Sequence, residues 1–374
     1  FKNFKLDSET AVILLSALIE AFLANRLTSI PGSWFKAMAL TKPDKPSPTM
    51  HIFCLFILKF LKENVITLNR NLFWPSKNIE LFYESNKEKI NFLNLNEKND
   101  SLMHTFENDK IKNILLKDVK KRKIRIIRKE IKNIDDLRSY DLTILCLGSN
   151  SKIYSKIIKD RSIKKDYKEV AITGYIKHKI KKLKTSQFFL KEGPLAILPF
   201  SKDKFSFVWS LDKSYYDINF KKINKIIEDK IKEVLSIKQK IIIDNVQSYP
   251  VTLRLKRQYY KKNILILGEG LHAIHPVAGQ GFNLVLRDIK KLKEILKYYT
   301  KLGISVKNSY ALSDFYISRK PENMILGLGV DATHKFFKKN KYLDPFKKII
   351  LKNISNNKTL KNFSKIISNK GLSF

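Results

Sequence analysis

Two short, largely apolar runs constrain this chain more than any other feature: residues 142–147 (LTILCL) and 263–267 (NILIL), each followed at once by a glycine, Gly148 and Gly268. Runs of this length without polar alternation read as strands covered on both faces, the habit of parallel sheets with helices on either side. A glycine after such a strand lets backbone come close to a ligand at the carboxyl edge, where open α/β sheets bind. Helical spacing surrounds them. Ile111, Ile114, Leu115 and Val119 share one face, and Val285, Ile289, Leu292 and Leu296 share another on a helix starting near Phe282.

A different pattern lies between the two runs. Residues 170–176, 187–190, 195–198 and 205–209 read as successive strands, separated by the turn sequences Glu192-Gly193-Pro194 and Ser201-Lys202-Asp203. This is an antiparallel sheet, followed by a helix whose apolar face holds Ile223, Ile226, Ile227, Ile231 and Val234. Residues 86–109 are polar and read as loop-rich, residues 124–127 as a short strand, and helices fill residues 312–337 and most of the basic C-terminus. Strand–helix units, then a meander, then strand–turn–helix describe a nucleotide-binding α/β domain with a sheet domain inserted into it.

With 374 residues, 44% hydrophobic and 29% charged, the chain can bury a substantial core and is not compositionally disordered. Its two cysteines, Cys54 and Cys146, provide no disulfide framework, so a reducing compartment is expected. The formal net charge of +38 invites a nucleic-acid or anionic-lipid reading, yet the lysines are spread along the chain together with abundant Ile and Asn. That joint excess is what an AT-rich coding sequence produces. No zinc-finger, RNP or helix-turn-helix pattern accompanies it, so no nucleic-acid partner is expected. No stretch reaches the roughly 18–20 apolar residues that span a bilayer; the nearest, 11–24, contains Glu20. A cytoplasmic protein is expected, with a peripheral place on the inner membrane as its alternative. Residues 11–50 differ in composition, holding six of twelve alanines and four of eleven prolines, as sequence foreign to the rest of the fold would.

The chemistry concentrates in one ordered run, Gly268-Glu269-Gly270-Leu271-His272-Ala273-Ile274-His275-Pro276-Val277-Ala278-Gly279-Gln280-Gly281-Phe282-Asn283, with Asp288 shortly after it. The run resembles the second FAD motif of the aromatic-ring flavin hydroxylases, the class A flavoprotein monooxygenases, in the branch that hydroxylates ubiquinone precursors. The resemblance implies a Rossmann-like FAD-binding domain with an inserted antiparallel substrate domain and C-terminal helices. It also implies FAD as cofactor, NAD(P)H as electron donor, and O2 and a polyprenylated phenol as substrates, with contacts to other ubiquinone-biosynthesis proteins. Gly268, Glu269, Pro276, Gly279, Gln280, Gly281, Phe282 and Asn283 become the cofactor-binding candidates, with His275 also near the ring; no catalytic acid or base and no metal ligand is assigned. The residue chemistry agrees. A carboxylate at Glu269 can accept hydrogen bonds from ribityl hydroxyls, Gly279 and Gly281 leave room for a flat ring, and the helix from Phe282 points its N-terminal N–H groups at it. Weaker likeness lies in residues 193–199 and 207–210, and in Asp314, Tyr316 and Arg319, for which a solvated helix face is an equal reading. The expected division is an anomalous segment 1–55, FAD-binding parts 56–150 and 262–330, a substrate sheet 151–261 and a basic helical region 331–374.

Two parts of the family pattern are missing. The first glycine is Gly32 and the next Gly148, so the glycine fingerprint that holds the FAD pyrophosphate is absent, and Asp7-Ser8-Glu9-Thr10 is at most its trace. Leu147 stands where the family has Asp in its central Asp-Gly motif, and Glu269 where it usually has Asp. A truncated or misread enzyme, or a non-catalytic scaffold descended from one, are the two expectations these departures allow.

Overall fold

The computed structural model describes residues 50–356, apart from positions 54, 66–67, 69–71, 86–87, 99–100, 125, 127–136, 138–139, 149–150, 160 and 339–342. All but the last of the anomalous residues 11–50 therefore lie outside the described residues, as do the segment Asp7 to Thr10 and half of the short strand expected at 124–127.

The two apolar runs pair as parallel neighbours. Strand β6 (Thr143–Leu145) aligns with β13 (Ile264–Ile266), Thr143 opposite Ile264 and Leu145 opposite Ile266. Strand β12 (Tyr260–Lys261) adds an antiparallel edge to β13. Both runs are apolar because their sheet is enclosed. Leu145, Leu265 and Ile266 share one core with Leu58 and Leu61 of helix α1 (Leu55–Asn64) and with Ile111 and Leu115 of α2 (Asn108–Lys121). The same core takes Tyr154 and Ile157 from α3 (Ile153–Ile157), Leu286 and Ile289 from α6 (Gly281–Lys301), and Leu312 and Phe315 from α7 (Tyr310–Phe337). The expected face of α6, Val285, Ile289, Leu292 and Leu296, is buried in this core. Each such side chain contributes roughly 1.5–3 kcal/mol on full burial.

The large sheet has eight strands. Four match the expected ones: β7 (Ile163–Lys177), β8 (Thr185–Phe189), β9 (Pro194–Pro199) and β10 (Lys204–Asp212), paired antiparallel in the order β7-β10-β9-β8. Helix α4 (Lys213–Asn219) leaves β10 directly, capped where Ser214 N–H donates to Asp212 Oδ1 (2.9 Å). Helix α5 (Ile223–Leu235) then covers one face of the sheet, packing Ile227 and Ile231 against Ile172, Phe207 and Trp209. Gly193 serves the turn before β9: its φ is 134°, and a Cβ there would lie 1.9 Å from the Ser210 carbonyl oxygen. Beyond β7 the sheet continues through β11 (Ile242–Leu255) to β14 (His272–Ala273), the latter taken from the glycine-rich run itself.

On the other side β8 pairs in parallel with β3 (Asn78–Ser85), and β3 pairs antiparallel with β4 (Glu88–Asn96). Residues 78–96 thus join the same sheet as residues 163–255. The reading of 86–109 as loop-rich is corrected: β4 and β5 (Met103–Glu107) occupy much of it. Ile90, Phe92 and Leu95 of β4 turn inward while Lys89, Asn91, Asn94 and Asn96 face solvent, so the polar residues that suggested a loop are the outer face of a strand. Strand β5 pairs with β1 (Met50–Phe53) and β2 (Trp74–Ser76) in a third sheet.

Candidate functional site

Both parallel strands run out onto glycines in the left-handed region, Gly148 at φ 70° and Gly268 at φ 74°, so the sheet edge turns sharply at two adjacent places. Leu267 N–H donates to Leu145 O (2.9 Å), which keeps the two exits together. One tyrosine pins both turns. Tyr154 Oη accepts the Leu147 N–H (2.8 Å), and a Cβ on Gly270 would lie 2.4 Å from that same oxygen. Leu147 itself is buried in the core at the position where the family carries Asp. Glu269 is reached by solvent, although protein surrounds it densely enough that desolvation raises its carboxyl above the ordinary range. That combination belongs to a group in a recess rather than on a convex surface.

The chain next forms β14 and a single turn at Pro276–Ala278, reverses at Gly279 (φ 59°) and enters α6 at Gly281. The helical ladder begins with Leu284 N–H donating to Gln280 O (3.0 Å), so the N–H groups of the first turn point out of the helix end toward the loop. Asn283 is 1% exposed; its Nδ2 donates to Gln280 Oε1 (3.2 Å) and its Oδ1 has no partner. Phe282 sets its ring near that of Phe106, centroids 6.1 Å apart. Gly281 departs from expectation: its φ lies outside the left-handed region, and the nearest atom to an added Cβ is Ile274 Cγ1 at 3.9 Å. Conformational freedom is needed at Gly279, whereas an added Cβ at Gly281 would meet only an ordinary van der Waals contact.

Asp288, at the end of the run, faces the other way. It is fully buried and accepts from His272 Nε2 (2.7 Å), Arg319 Nε (2.6 Å) and Asn323 Nδ2 (3.1 Å). Burial works to raise its pKa, but Arg319 and His272 prevail and hold the carboxyl below its ordinary range. Arg319 is therefore no solvated side chain: at 4% exposure it ties α7 to α6.

His275 is likewise buried and belongs to a three-element joint. Its Nε2 lies 3.0 Å from Glu169 Oε2 on β7, and His334 Nε2 on α7 lies 2.9 Å from Glu169 Oε1. Burial alone would raise the Glu169 pKa, yet these two hydrogen bonds hold it down at about 2. Glu169, His275 and His334 offer ligand atoms within 4.8 Å of one another, the composition of a metal site. However, Val277 N–H donates to His275 Nδ1 (3.1 Å), which leaves the ring proton on Nε2 and makes that atom a donor to Glu169. The triad is a hydrogen-bonded clamp in this geometry. Beside it a cavity of about 260 Å³ is lined by Glu169, Phe189, Pro194, Val277, His334 and Phe337. Glu169 and His334 were not among the sequence candidates; the only trace is an acid in a strand whose neighbours Tyr167 and Val170 are buried.

The eight candidate residues thus fall along one sheet exit, one loop and one helix start, brought together by local chain geometry. A family model for squalene epoxidase matches residues 216–357. Among solved structures, p-nitrophenol 4-monooxygenase of Pseudomonas putida DLL-E4 superposes with a TM-score of 0.75 at 12% identity, covering 96% of each chain. PqsL of Pseudomonas aeruginosa, a probable FAD-dependent monooxygenase, does so at 0.66 and 11% identity, covering 87% of this chain and 94% of that one. The fold is that of these monooxygenases. Relatives similar in sequence include ubiquinone hydroxylases. Ubiquinone hydroxylase UbiL of Rhodospirillum rubrum is 27% identical over 162 residues, 40% of this chain and 36% of the relative. The mitochondrial ubiquinone biosynthesis monooxygenase COQ6 of Schizosaccharomyces pombe is 26% identical over 228 residues, 47% and 48% of the two. The chain spans about half the length, or less, of these curated relatives.

Proposed function

We propose that this chain is a FAD-dependent monooxygenase that hydroxylates the ring of a polyprenylated phenol on the way to ubiquinone, with NAD(P)H and O2 as co-substrates. One observation carries the reading: the second FAD motif folds as a loop that reverses at Gly279 and leads directly into the N-terminal end of α6 at Gly281. That is a fit for the polar edge of a flat, electron-accepting ring. Bound FAD would supply the redox chemistry, taking hydride from NAD(P)H and passing electrons to O2.

The chain's own residues would do the rest. The α6 N-terminus would stabilise negative charge on the ring system, by its dipole and by the N–H groups of its first turn. Glu269 would meet the polyol chain. Phe189, Pro194, Val277 and Phe337 would hold the phenol ring and keep water from the reacting centre. A polyprenyl tail belongs in a bilayer, so the protein would work peripherally on the inner membrane, beside other ubiquinone-biosynthesis proteins. The glycine gap from Gly32 to Gly148 and Leu147 favour a second reading, a non-catalytic scaffold of the same descent.

Titration of the purified chain with FAD and FMN, followed by visible absorbance, separates the two. Because the sequence lacks the pyrophosphate-binding glycines, weak binding is expected, with FMN bound about as well as FAD. Gly281→Val should abolish it and lower any NAD(P)H-dependent hydroxylation about a hundredfold, some 2.7 kcal/mol. No flavin uptake by the parent would support the scaffold; equal uptake by parent and variant would overturn the reading of this loop.

A further inference from the structure

The two imidazoles that hold Glu169 are not equivalent. His275 has both ring nitrogens occupied, Nε2 by Glu169 Oε2 (3.0 Å) and Nδ1 by the Val277 N–H (3.1 Å). His334 uses only one. Its Nε2 lies 2.9 Å from Glu169 Oε1, while its Nδ1 is buried without a partner. Glu169 is held as a carboxylate and can only accept, so the proton of a neutral His334 sits on Nε2 and Nδ1 carries a free lone pair. The ring is also fixed in direction: Tyr167 meets it edge-on at 4.8 Å and His275 lies against it at 4.3 Å, centroid to centroid. A buried acceptor without a donor is costly, and His334 is 5% exposed.

His334 lines the cavity of about 260 Å³ beside the clamp. An apolar cavity of about 150 Å³ takes benzene, so this one has room for a substituted ring. The other charged groups of the lining are accounted for. Lys191, Asp212 and Lys338 are exposed, Glu192 is paired with Lys230 (3.2 Å), and the two Glu169 oxygens face the imidazoles. His334 Nδ1 is thus the oriented acceptor that a ring hydroxyl would complete.

We propose that His334 selects substrates by a free hydroxyl: a phenol held among Phe189, Val277 and Phe337 donates its O–H to His334 Nδ1, and Glu169 is the positioning residue that fixes the tautomer. A quinone or aryl ether of the same shape has no proton to give and leaves the acceptor unpaired. This role rests on the reading that the cavity takes the phenol ring, and the test separates the two. The purified full chain is titrated by calorimetry with 4-propylphenol and with its methyl ether, 4-propylanisole; no flavin is needed. The phenol is expected to bind about tenfold more tightly than the ether. In His334→Gln the amide can still donate to Glu169 but offers no acceptor at the Nδ1 position, so the circular dichroism should be parental and the preference gone. Val277→Phe fills the cavity and should weaken the phenol about tenfold. In the parent, the ¹⁵N resonance of His334 Nδ1 should move on adding the phenol and stay on adding the ether, a signature that a purely structural histidine lacks. An unmoved resonance, or a preference that survives in His334→Gln, overturns the proposal. So does a preference lost in Glu192→Gln instead, which would assign the acceptor to that carboxylate, or phenol binding untouched by Val277→Phe. Equal binding of both probes by the parent overturns the role of His334 and leaves the cavity a ring site. Binding of neither removes the phenol from this cavity, and the underlying reading falls with it.

Discussion

Asp288 concentrates a large electrostatic commitment in one carboxylate, with Arg319 and His272 both nearly excluded from water. Such a group stabilises the fold only while it is charged. Asp288→Asn is expected to cost about 3–5 kcal/mol in urea unfolding at neutral pH, because Arg319 would be left buried without its anion. A loss below about 1 kcal/mol would show that Arg319 finds Glu322 a sufficient partner. The pKa of Asp288 is depressed in the fold, so its contribution is present above the ordinary carboxylate pKa and disappears as pH falls through the lower folded value. At this scale the sequence located the residue but not its role: spacing places Asp288 on the helix, whereas its partners at 272, 319 and 323 are a matter of which helix faces meet.

Between elements, Glu169 joins β7, the loop before α6 and α7 through two imidazoles. The joint fixes His275, hence Pro276 and Val277, relative to the cavity wall. Glu169→Gln should cost about 1.5–3 kcal/mol by replacing charge-assisted hydrogen bonds with neutral ones. It also has an effect that simple destabilisation lacks. Burial lowers the His275 pKa and the Glu169 charge opposes that shift, so the variant should titrate at still lower pH in a histidine NMR titration. An unmoved His275 resonance would show that the two groups are not coupled. With a folded pKa of about 2, Glu169 adds stability above the unfolded carboxylate value, and this is lost as pH falls toward 2.

For the whole molecule, the net charge of +38 acts on the folded chain as self-repulsion. Screening should relieve it: the thermal midpoint is expected to rise by a few °C between low ionic strength and about 0.3 M sodium chloride. A flat or falling midpoint would mean that surface ion pairs such as Lys184–Glu80 and Lys348–Glu88 offset the repulsion at low salt. Neither composition nor net charge carries information about sheet order. Residues 78–96 enter the large sheet through a parallel pairing of β3 with β8, more than a hundred residues later in sequence, which no local pattern announces.

The sequence by itself determined the parts whose cause is local. The runs at 142–147 and 263–267 hold strands because most of their side chains are buried against helices on the sheet, and the glycines after them turn because only a residue without Cβ enters the left-handed region cheaply. The helix from Gly281 follows from its apolar periodicity, and the ordered run before it is specific enough to indicate a flavin-binding ancestry. Only the tertiary structure decided that the polar stretch at 88–96 is a strand, that Gly281 lies outside the left-handed region, and that His275 and Asp288 face inward to Glu169 and Arg319. Those outcomes depend on contacts between residues far apart in the chain. A buried ion pair or a sheet edge is stabilised by desolvation and geometry that exist only once the elements have packed.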